Sequence, residues 1–330
     1  MKRRDFITLL GGAAAAWPMA ARAQQFGPVR RVGWLSAGEA GDPLLSWFSQ
    51  RLAELGWIEG RNLRLDTRAT AGNPDRIRTF AKELVDLKPD VVVGRGGVSA
   101  RALQQQTRDI PIIFTGAGAS LDAGLVKNIA RPEGNMTGIA NLFPSITSKW
   151  LELLREADPR IARVALVFDS VLLPAPVAEK YLAPVEAAAT QIAVTTIRTP
   201  FQSTSDIEGA IATFAAGGTR GGLINLPPNI AGSKLAAIDR AALRNKLPMI
   251  SYSTDRSAVV GGLMFYGPVI RDIYRTAASY VDRILRGAKV SDLPVQYPTT
   301  FELVVNLKTA RAIGLPLPPT LVARADEVIE

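Results

Sequence analysis

Short apolar runs alternate with segments of helical spacing through the first half of the chain. The apolar runs predict buried strands at residues 31–36, 62–68, 90–94 and 110–115. Between them, the spacing of apolar positions predicts helices at residues 44–55, 73–87 and 99–107. Strands separated by helices of this length indicate a parallel sheet with right-handed crossovers.

The same alternation begins again after residue 141. Strands are predicted at residues 163–168, 192–199, 222–226 and 248–252. The helices predicted between them cover residues 177–190, 205–215 and 233–245. No sequence repeat relates the two runs, but both follow one plan. The pattern therefore predicts an α/β protein with two Rossmann-like lobes, each built on its own parallel sheet.

The stretch from Gly261 to Asn306 organises the rest of the chain. It contains an apolar strand at 263–266, a long helix at 270–285 and extended segments on both sides of Pro298, which excludes a helix there. These elements indicate a return to the first lobe and a second departure from it, so three interlobe crossings are predicted. The predicted domain bounds are 29–141 plus 261–299 for lobe one and 142–260 plus 300–330 for lobe two.

Residues 1–23 have the pattern of an export signal peptide. A basic region with the pair Arg3-Arg4 precedes an apolar run at residues 9–16, and the small residues Ala21 and Ala23 fit a cleavage site. The apolar run is shorter than the ~20 residues that a membrane span requires, which disfavours the alternative of an uncleaved anchor. The pattern predicts export to the periplasm by a twin-arginine-type route.

Composition excludes several kinds of chemistry. The 330 residues include no Cys and no His, which excludes disulfides, thiolate or imidazole catalysis and His or Cys metal sites. The run GRGGVS lacks the Lys of a phosphate-binding loop and the later Gly of a dinucleotide fingerprint, and no G-x-S-x-G motif occurs. Only carboxylates, Lys, Tyr, Ser and Thr remain for catalysis. We predict a protein that is not an enzyme and that needs no cofactor or metal, with an exported carboxylate- or Lys-based enzyme as the alternative.

Charge changes this picture little. The 39 Lys and Arg residues outnumber the 30 Asp and Glu residues, for a net charge of +9, but the basic residues are scattered along the chain. Beyond the predicted signal peptide, no basic block and no basic–aromatic pattern is present, so nucleic-acid binding is not predicted.

Several segments together resemble one protein family. They include RVGWLSAG, ARPEGNMTG, GGLMFYGP, YVDRILRGAKVSDLPVQYPTTFELVVNLKTARAIGL and the ending LVARADEVIE. These segments are similar to the substrate-binding components of ABC transporters of the tryptophan/tyrosine type. The resemblance covers essentially the whole chain. It implies the type I periplasmic binding protein fold, with two Rossmann-like lobes and three interlobe strands.

The resemblance also implies a function. A monomeric receptor would close its lobes around a small-molecule ligand, an amino acid or another small carboxylate, and present it to an ABC permease in the inner membrane with its cytoplasmic ATPase. A ligand-sensing receptor that docks on a membrane signalling protein is the alternative. The family usually has Asp-Pro-Val where this chain has Ala119-Ser120-Leu121. That loop is expected to face the cleft, so the difference concerns the ligand and not the class of protein.

Ligands of open parallel sheets bind beyond the carboxyl ends of the strands, where helix N-termini favour an anion. This rule, with the need for an apolar wall, selects the candidate ligand-binding residues. Those expected from lobe one are Ser36, Arg95, Gly96, Gly97, Ser99, Thr115, Gly116, Asn141 and Tyr266. Those expected from lobe two are Asp169, Asn229, Tyr252 and Asp255.

The candidates for anion binding have two interpretations. The segment from Gly96 to Ser99 either cradles a carboxylate, with the glycines allowing close approach and Ser99 donating its hydroxyl, or forms an ordinary capped turn. Arg95 either clamps the carboxylate or forms a surface or interlobe pair.

The opposite end of an amino-acid ligand needs an acceptor and an apolar wall. Asp255, Asp169 or Glu39 would receive an amino group, and each has a purely structural alternative, Asp255 as a helix cap after Ser253-Thr254 in particular. Tyr252 and Tyr266 would supply the wall, whereas Trp34 lies inside a predicted strand and fits the core better.

Overall fold

Two β-sheets dominate the described part of the chain. The computed structural model describes residues 28–38, 41, 43–71, 73–118, 121, 124–226, 233–252 and 261–330. The predicted signal peptide and the candidates Asn229, Asp255 and Glu39 lie outside these residues. We call the five-stranded sheet and the helices packed on it lobe one, and the seven-stranded sheet with its helices lobe two.

Strands and helices alternate through most of the chain. The strands are β1 (Arg30–Ser36), β2 (Leu63–Ala69), β3 (Val91–Arg95), β4 (Ile112–Thr115), β5 (Met136–Ile139), β6 (Arg163–Asp169), β7 (Thr195–Phe201), β8 (Gly221–Asn225), β9 (Met249–Ser251), β10 (Met264–Pro268), β11 (Phe301–Asn306) and β12 (Glu327–Ile329). The helices are α1 (Pro43–Glu54), α2 (Pro74–Asp86), α3 (Gly96–Gln106), α4 (Ile146–Ala157), α5 (Ala175–Gln191), α6 (Thr204–Ala215), α7 (Ser233–Arg244), α8 (Ile270–Leu285), α9 (Leu307–Ile313) and α10 (Pro319–Ala323). No helix in the described ranges is both long and apolar enough to cross a bilayer.

Lobe one is a parallel sheet with helices on both faces. Its strands lie in the order β2-β1-β3-β4-β5. Successive side chains of a strand point to opposite faces, so Val32 and Trp34 of β1 enter the core under α1 and α8 while Leu35 enters the core under α2 and α3. Trp34 is 1% exposed, as expected for a core residue.

Lobe two repeats this order and extends it. Its sheet runs β7-β6-β8-β9-β10-β11-β12, and the strands are parallel except that β11 pairs antiparallel with β10. One face packs against α4 and α5, and the opposite face packs against α6 and α7. The first five strands thus match the order of lobe one, and β11 and β12 are additions.

The prediction that residues 261–299 return to lobe one is wrong for their first strand. Met264 and Phe265 of β10 pair with Ile250 and Ser251 of β9, and the other neighbour of β10 is β11. Because both edges of β10 are paired within the seven-stranded sheet, β10 belongs to lobe two. The chain re-enters lobe one with α8, which packs on α1, β3, β4 and β5.

Three connections join the lobes and lie side by side. They are residues 140–145 between β5 and α4, residue 269 between β10 and α8, and residues 296–300 ahead of β11. Ala140 N donates to Gln296 O at 2.8 Å, and Val269 N donates to Thr300 O at 3.0 Å. The third connection therefore bonds to both of the others. The predicted fold class, with two Rossmann-like lobes and three interlobe crossings, is confirmed.

Aromatic rings pack around these connections. Phe143 lies 6.3 Å from Tyr297 and 5.7 Å from Phe301, measured between ring centroids. Tyr266, predicted as part of a ligand wall, stacks on Phe301 at 5.8 Å. The structure therefore places the Tyr266 ring at the connections between the lobes.

Candidate ligand-binding cleft

The carboxyl edge of the lobe-one sheet brings three candidate residues into one row. In register, Ser36 of β1 lies opposite Arg95 of β3, and Arg95 lies opposite Thr115 of β4. Arg95 Nη1 donates to Ser36 Oγ at 3.2 Å, and Arg95 Nε donates to the hydroxyl of Tyr274 at 3.4 Å. These bonds hold the guanidinium across the strand ends, at the edge where a parallel α/β sheet binds its ligand.

Helix α3 begins directly after Arg95 and has no side-chain cap. Arg95 is its N-cap residue and makes no capping hydrogen bond. Gly96 has a φ of +79°, a conformation that favours glycine, and both Gly96 and Gly97 are partly exposed. The free N–H groups and dipole of such a helix end favour an anion. The backbone half of the predicted anion cradle is therefore accessible.

The Ser99 hydroxyl, which forms the side-chain half of the predicted cradle, is not accessible as the backbone half is. Ser99 is 0% exposed, and its Oγ has no hydrogen-bond partner among the described residues. The hydroxyl of Ser99 is enclosed by protein in this conformation, contrary to the picture of a serine that lines an open cleft.

The loop after β4 is linked to lobe two through one amide side chain. Gly116 adopts a φ of +68°, and the backbone N of Gly118 donates to Asn141 Oδ1 at 3.0 Å. Asn141 Nδ2 donates to the hydroxyl of Tyr252 at 2.9 Å. Tyr252 is 3% exposed, and burial raises the pKa of its hydroxyl. Asn141 and Tyr252, both predicted as ligand contacts, form a partly buried hydrogen bond that ties the first connection to lobe two.

The carboxyl edge of lobe two holds an ion pair with a buried carboxylate. Asp169, the last residue of β6, is 0% exposed, and its Oδ2 accepts from Lys234 Nζ at 2.6 Å. Its Oδ1 accepts from the backbone N of Val171 at 2.9 Å and of Leu172 at 3.2 Å. The prediction that Asp169 is a partner for a ligand amino group does not fit this geometry, because both carboxylate oxygens already accept hydrogen bonds.

Buried oxygens without partners concentrate at the same edges of the two sheets. Thr70, Ser99, Thr115 and Asn225 each carry a buried side-chain oxygen that has no hydrogen-bond partner in the described structure. Thr70 follows β2, Ser99 is in the first turns of α3, Thr115 ends β4 and Asn225 ends β8. Such an oxygen costs ~1–3 kcal/mol of stability, and its presence calls for an explanation such as a ligand or an ordered water.

Sequence reasoning missed Lys234, Tyr274 and Asn225. Lys234 stands in the first turn of the helix that follows a lobe-two strand, where a parallel sheet is expected to bind its ligand. The expected partner of a ligand amino group is acidic, however, and a lysine does not fit that role. Tyr274 carried no such signal, because only the tertiary return of α8 brings its hydroxyl to Arg95. Over the described ranges, no group of three or more potential ligands could hold a metal ion.

Comparison with known proteins places the chain among transport proteins. A family model described as ABC transporter substrate binding protein matches residues 37–329. A protein of Clostridioides difficile (strain R20291) named Tyrosine-binding protein is 25% identical over 269 residues, which cover 81% of this chain and 75% of that protein.

Solved structures agree in fold. A conserved domain protein from Vibrio cholerae is 27% identical with a TM-score of 0.78, over 91% of this chain and 99% of that one. An ABC domain from Streptococcus pneumonia in complex with L-Trp is 24% identical with a TM-score of 0.78, over the same 91% and 99%. Both likenesses fit the type I periplasmic binding protein fold. Because the family model matches most of its length, the chain belongs to the family of ABC transporter substrate-binding proteins.

Proposed function

We propose that this protein is the solute receptor of an ABC importer and that it closes its lobes around a small carboxylate ligand, with an amino acid as the first candidate. Its family consists of proteins that bind solutes outside the cytoplasm, and the Clostridioides difficile relative is itself named as a binding protein. The amino-acid class is supported by the relative named for tyrosine binding and by the same fold solved with L-Trp.

The observation that carries the position of the ligand is the set of unpartnered oxygens at the sheet edges. Thr70, Ser99 and Thr115 lie at the carboxyl edge of lobe one, and Asn225 lies at that of lobe two. A folded core normally pairs or excludes such groups, so several of them at the ligand-binding edges of two sheets support a site between the lobes.

The carboxylate of the ligand is proposed to lie at the N-terminus of α3. Backbone N–H groups of Gly96 and Gly97 donate to it, and the helix dipole stabilises its charge. Arg95, held by Ser36 and Tyr274, adds a charge-assisted hydrogen bond from the side. Thr115 and Gly116 complete this half of the site. Lobe one thus binds the ligand first, because its anion site does not require lobe two.

The amino end of the ligand is proposed to be held by lobe two. Since the Asp169 carboxylate is occupied by Lys234, the acceptors are Asp255 and the Asn229 amide, both outside the described residues. Contacts to both lobes favour the closed conformation, which the permease and its cytoplasmic ATPase then recognise. The Asn141–Tyr252 bond lies at the first of the three connections about which the monomer is proposed to close.

Ligand capture tests this proposal. Native mass spectrometry of the protein purified from its own host is expected to show a retained small molecule, and calorimetric titration with L-tyrosine and L-tryptophan measures affinity. Gly97→Val is expected to abolish binding while the protein stays folded, because the added side chain stands where the ligand carboxylate approaches. Arg95→Gln should weaken binding ~10-fold or more, the loss of one charge-assisted hydrogen bond. Unchanged affinity in both variants would show that the ligand carboxylate does not bind at the N-terminus of α3.

Export to the periplasm is proposed to follow the twin-arginine route. Replacing Arg3 and Arg4 together by Lys is expected to leave unprocessed precursor in the cytoplasm, because the arginine pair acts as an address and not as a charge. Normal processing of this double variant at Ala23 would instead indicate the general secretory route.

A further inference from the structure

A second concavity lies on the outer side of helix α8. It has a volume of about 810 Å³ and is bounded by α8, by Arg51 of α1 and by residues 296–300 of the third connection. We call it the hinge groove. None of the candidate cleft residues lines it, so it is separate from the proposed ligand site.

The hinge groove touches the second and third connections between the lobes and the end of β5, which leads into the first connection. Its lining includes Ile139 at the end of β5, Val269 between β10 and α8, and Thr299 and Thr300 ahead of β11. Backbone hydrogen bonds already tie the second connection to the third, through Val269 N and Thr300 O at 3.0 Å. A molecule in this groove would therefore contact the segments whose backbone torsions change when the lobes rotate.

The charge of the groove is positive. Arg51 and Arg275 both bond to Glu54, Arg51 at 3.0 Å and Arg275 at 2.8 and 3.0 Å. These two guanidinium groups hold the pKa of Glu54 at about 2, so one carboxylate is shared by two cations. Arg283 adds a third cation and forms no ion pair within the described structure. The lining carboxylate, Asp272, lies 3.7 Å from Arg271.

Polar side chains that are not engaged elsewhere converge on the groove. Within the described ranges, the side chains of Arg283, Thr276, Gln296, Thr299 and Thr300 form no hydrogen bond with another residue, although all of them line the groove. A concave site of roughly 300–1,000 Å³ with a few convergent polar groups is typical of small-molecule sites. The donors here are guanidinium, hydroxyl and amide groups, which suit oxygen acceptors.

We infer that the hinge groove binds a small polyvalent oxyanion and that its occupancy biases the closure of the lobes. Guanidinium groups recognise carboxylate and phosphate oxygens with paired hydrogen bonds, and two or more anionic groups are needed to engage Arg283 together with Arg275. A single carboxylate, like that of a neutral amino acid, would satisfy only one of them. The ligand class is thus a di- or tricarboxylate or a condensed phosphate.

The effect on closure rests on the proposed function, because it requires that the lobes move. An effector shifts a conformational equilibrium only if it binds the two conformations with different affinity. Contacts to the second and third connections, which change together when the lobes rotate, supply such a difference. Linkage then requires that the oxyanion and the cleft ligand change each other's affinity by the same factor.

Citrate and inorganic pyrophosphate are the probes for the site. In calorimetric titration of the full mature chain, citrate is expected to bind saturably with one site per molecule, and acetate is not. Arg283→Ala should weaken citrate binding ~10-fold or more, the loss of one charge-assisted contact. Arg311→Ala is the matched control, because Arg311 is an exposed arginine of α9 whose Nε bonds only to the Leu307 carbonyl oxygen. It should change the affinity less than about twofold.

The outcomes separate this inference from the proposed function. Absence of saturable binding by both probes, or equal losses in the two variants, would overturn the oxyanion site. A change of ~5-fold or more in cleft-ligand affinity at saturating citrate would support coupling to closure, and an unchanged affinity would overturn it. Failure of the proposed function would appear as an absence of cleft ligand, with citrate binding and its loss in Arg283→Ala intact.

Discussion

The two lobes share a strand order and differ in how that order ends. Lobe one runs β2-β1-β3-β4-β5, and lobe two runs β7-β6-β8-β9-β10 before its two added strands. In both lobes the fifth strand is the point at which the chain leaves for the other lobe. Beyond it, lobe one has a single bridge from Ile139 to Gln296, whereas lobe two has the full antiparallel partner β11. The position of a strand in the sheet order, and not its local sequence, therefore marks where the chain crosses to the other lobe.

The carboxyl edges of the lobes also differ. Lobe one presents a cation, Arg95, oriented by the neutral hydroxyls of Ser36 and Tyr274. Lobe two buries a carboxylate, Asp169, beneath Lys234. An anionic ligand group is therefore attracted to Arg95 of lobe one, while Asp169 and Lys234 of lobe two neutralise each other. This asymmetry favours a receptor that captures its ligand on lobe one and then closes lobe two over it.

Adding a methyl group to one glycine in each sheet should give the largest difference in stability between the two lobes. A Cβ at Gly138 of β5 would stand 2.2 Å from the carbonyl oxygen and 2.7 Å from the backbone N of Phe114, whereas one at Gly222 of β8 would meet the mobile end of Leu154 at 2.7 Å. Backbone cannot yield as a side chain does, so Gly138→Ala should cost about 3 kcal/mol of unfolding free energy or more and Gly222→Ala about 1 kcal/mol. Urea unfolding of both variants measures this, and equal losses would contradict it.

A second buried carboxyl of lobe two, Asp239, should make stability depend on pH. Burial raises its pKa from 3.8 to about 7, although the backbone N–H of Gly261 donates to it. Since the folded pKa lies above the unfolded value, its stabilising contribution is full below pH 3.8 and is lost as pH rises through about 7. Asp239→Asn should therefore stabilise the protein by about 2–4 kcal/mol at pH 8 and far less at pH 4.

Melting curves at the two pH values test the role of Asp239. The wild type and Asp239→Asn should differ at pH 8 and converge towards pH 4. A constant difference between them at both pH values would show that the carboxyl does not titrate in this range.

Removing the cation at each carboxyl edge should have different effects. Loss of Lys234 should lower mainly the stability of the fold, whereas loss of Arg95 should lower mainly the affinity for the ligand. Lys234→Met leaves Asp169 charged and 0% exposed, and should cost about 2–3 kcal/mol, less than a fully buried pair because the Lys234 side chain is 30% exposed. Asp169→Asn in addition should restore most of that loss. Arg95→Met should cost about 1 kcal/mol of stability or less while ligand affinity falls. Equal destabilisation by Lys234→Met and Arg95→Met would contradict the proposed difference between the carboxyl edges of the two lobes.

The smallest effect should come from one phenol that bonds between the lobes. Tyr252→Phe removes the hydrogen bond from Asn141 and should cost about 1 kcal/mol. Tyr280→Phe is its control, because the Tyr280 hydroxyl donates to the Pro294 carbonyl oxygen at 2.6 Å within lobe one. Both should lower stability similarly, but only Tyr252→Phe should broaden the distribution of distances between the lobes. Identical distributions would show that the bond plays no part in their orientation.

Local patterns predicted most elements because each buried strand is an apolar run of its own. They failed at β10 because its sequence, MFYGP, is equally suited to either sheet, and only its pairing with β9 and β11 decides. The order of lobe one, in which the chain departs after the fifth strand, would have placed it correctly.

The candidate site was predictable at the level of the backbone. The uncapped start of α3 and the row of Ser36, Arg95 and Thr115 follow from the edge rule. The partners of individual side chains do not follow from it, because Asp169 meets Lys234 across 65 residues and Arg95 meets Tyr274 across 179. Only the folded chain brings those groups together.

Closure of the lobes on a ligand is the central claim, and a distance between them tests it most directly. The sequence has no Cys, so cysteines placed at Arg101 of α3 and at Val171 after β6, both exposed, would carry the only two spin labels. The distance between these labels, measured by pulsed electron paramagnetic resonance, is expected to shorten and its distribution to narrow when the titrating amino acid saturates the protein. An unchanged distribution, with binding confirmed by calorimetry on the same labelled sample, would contradict the account.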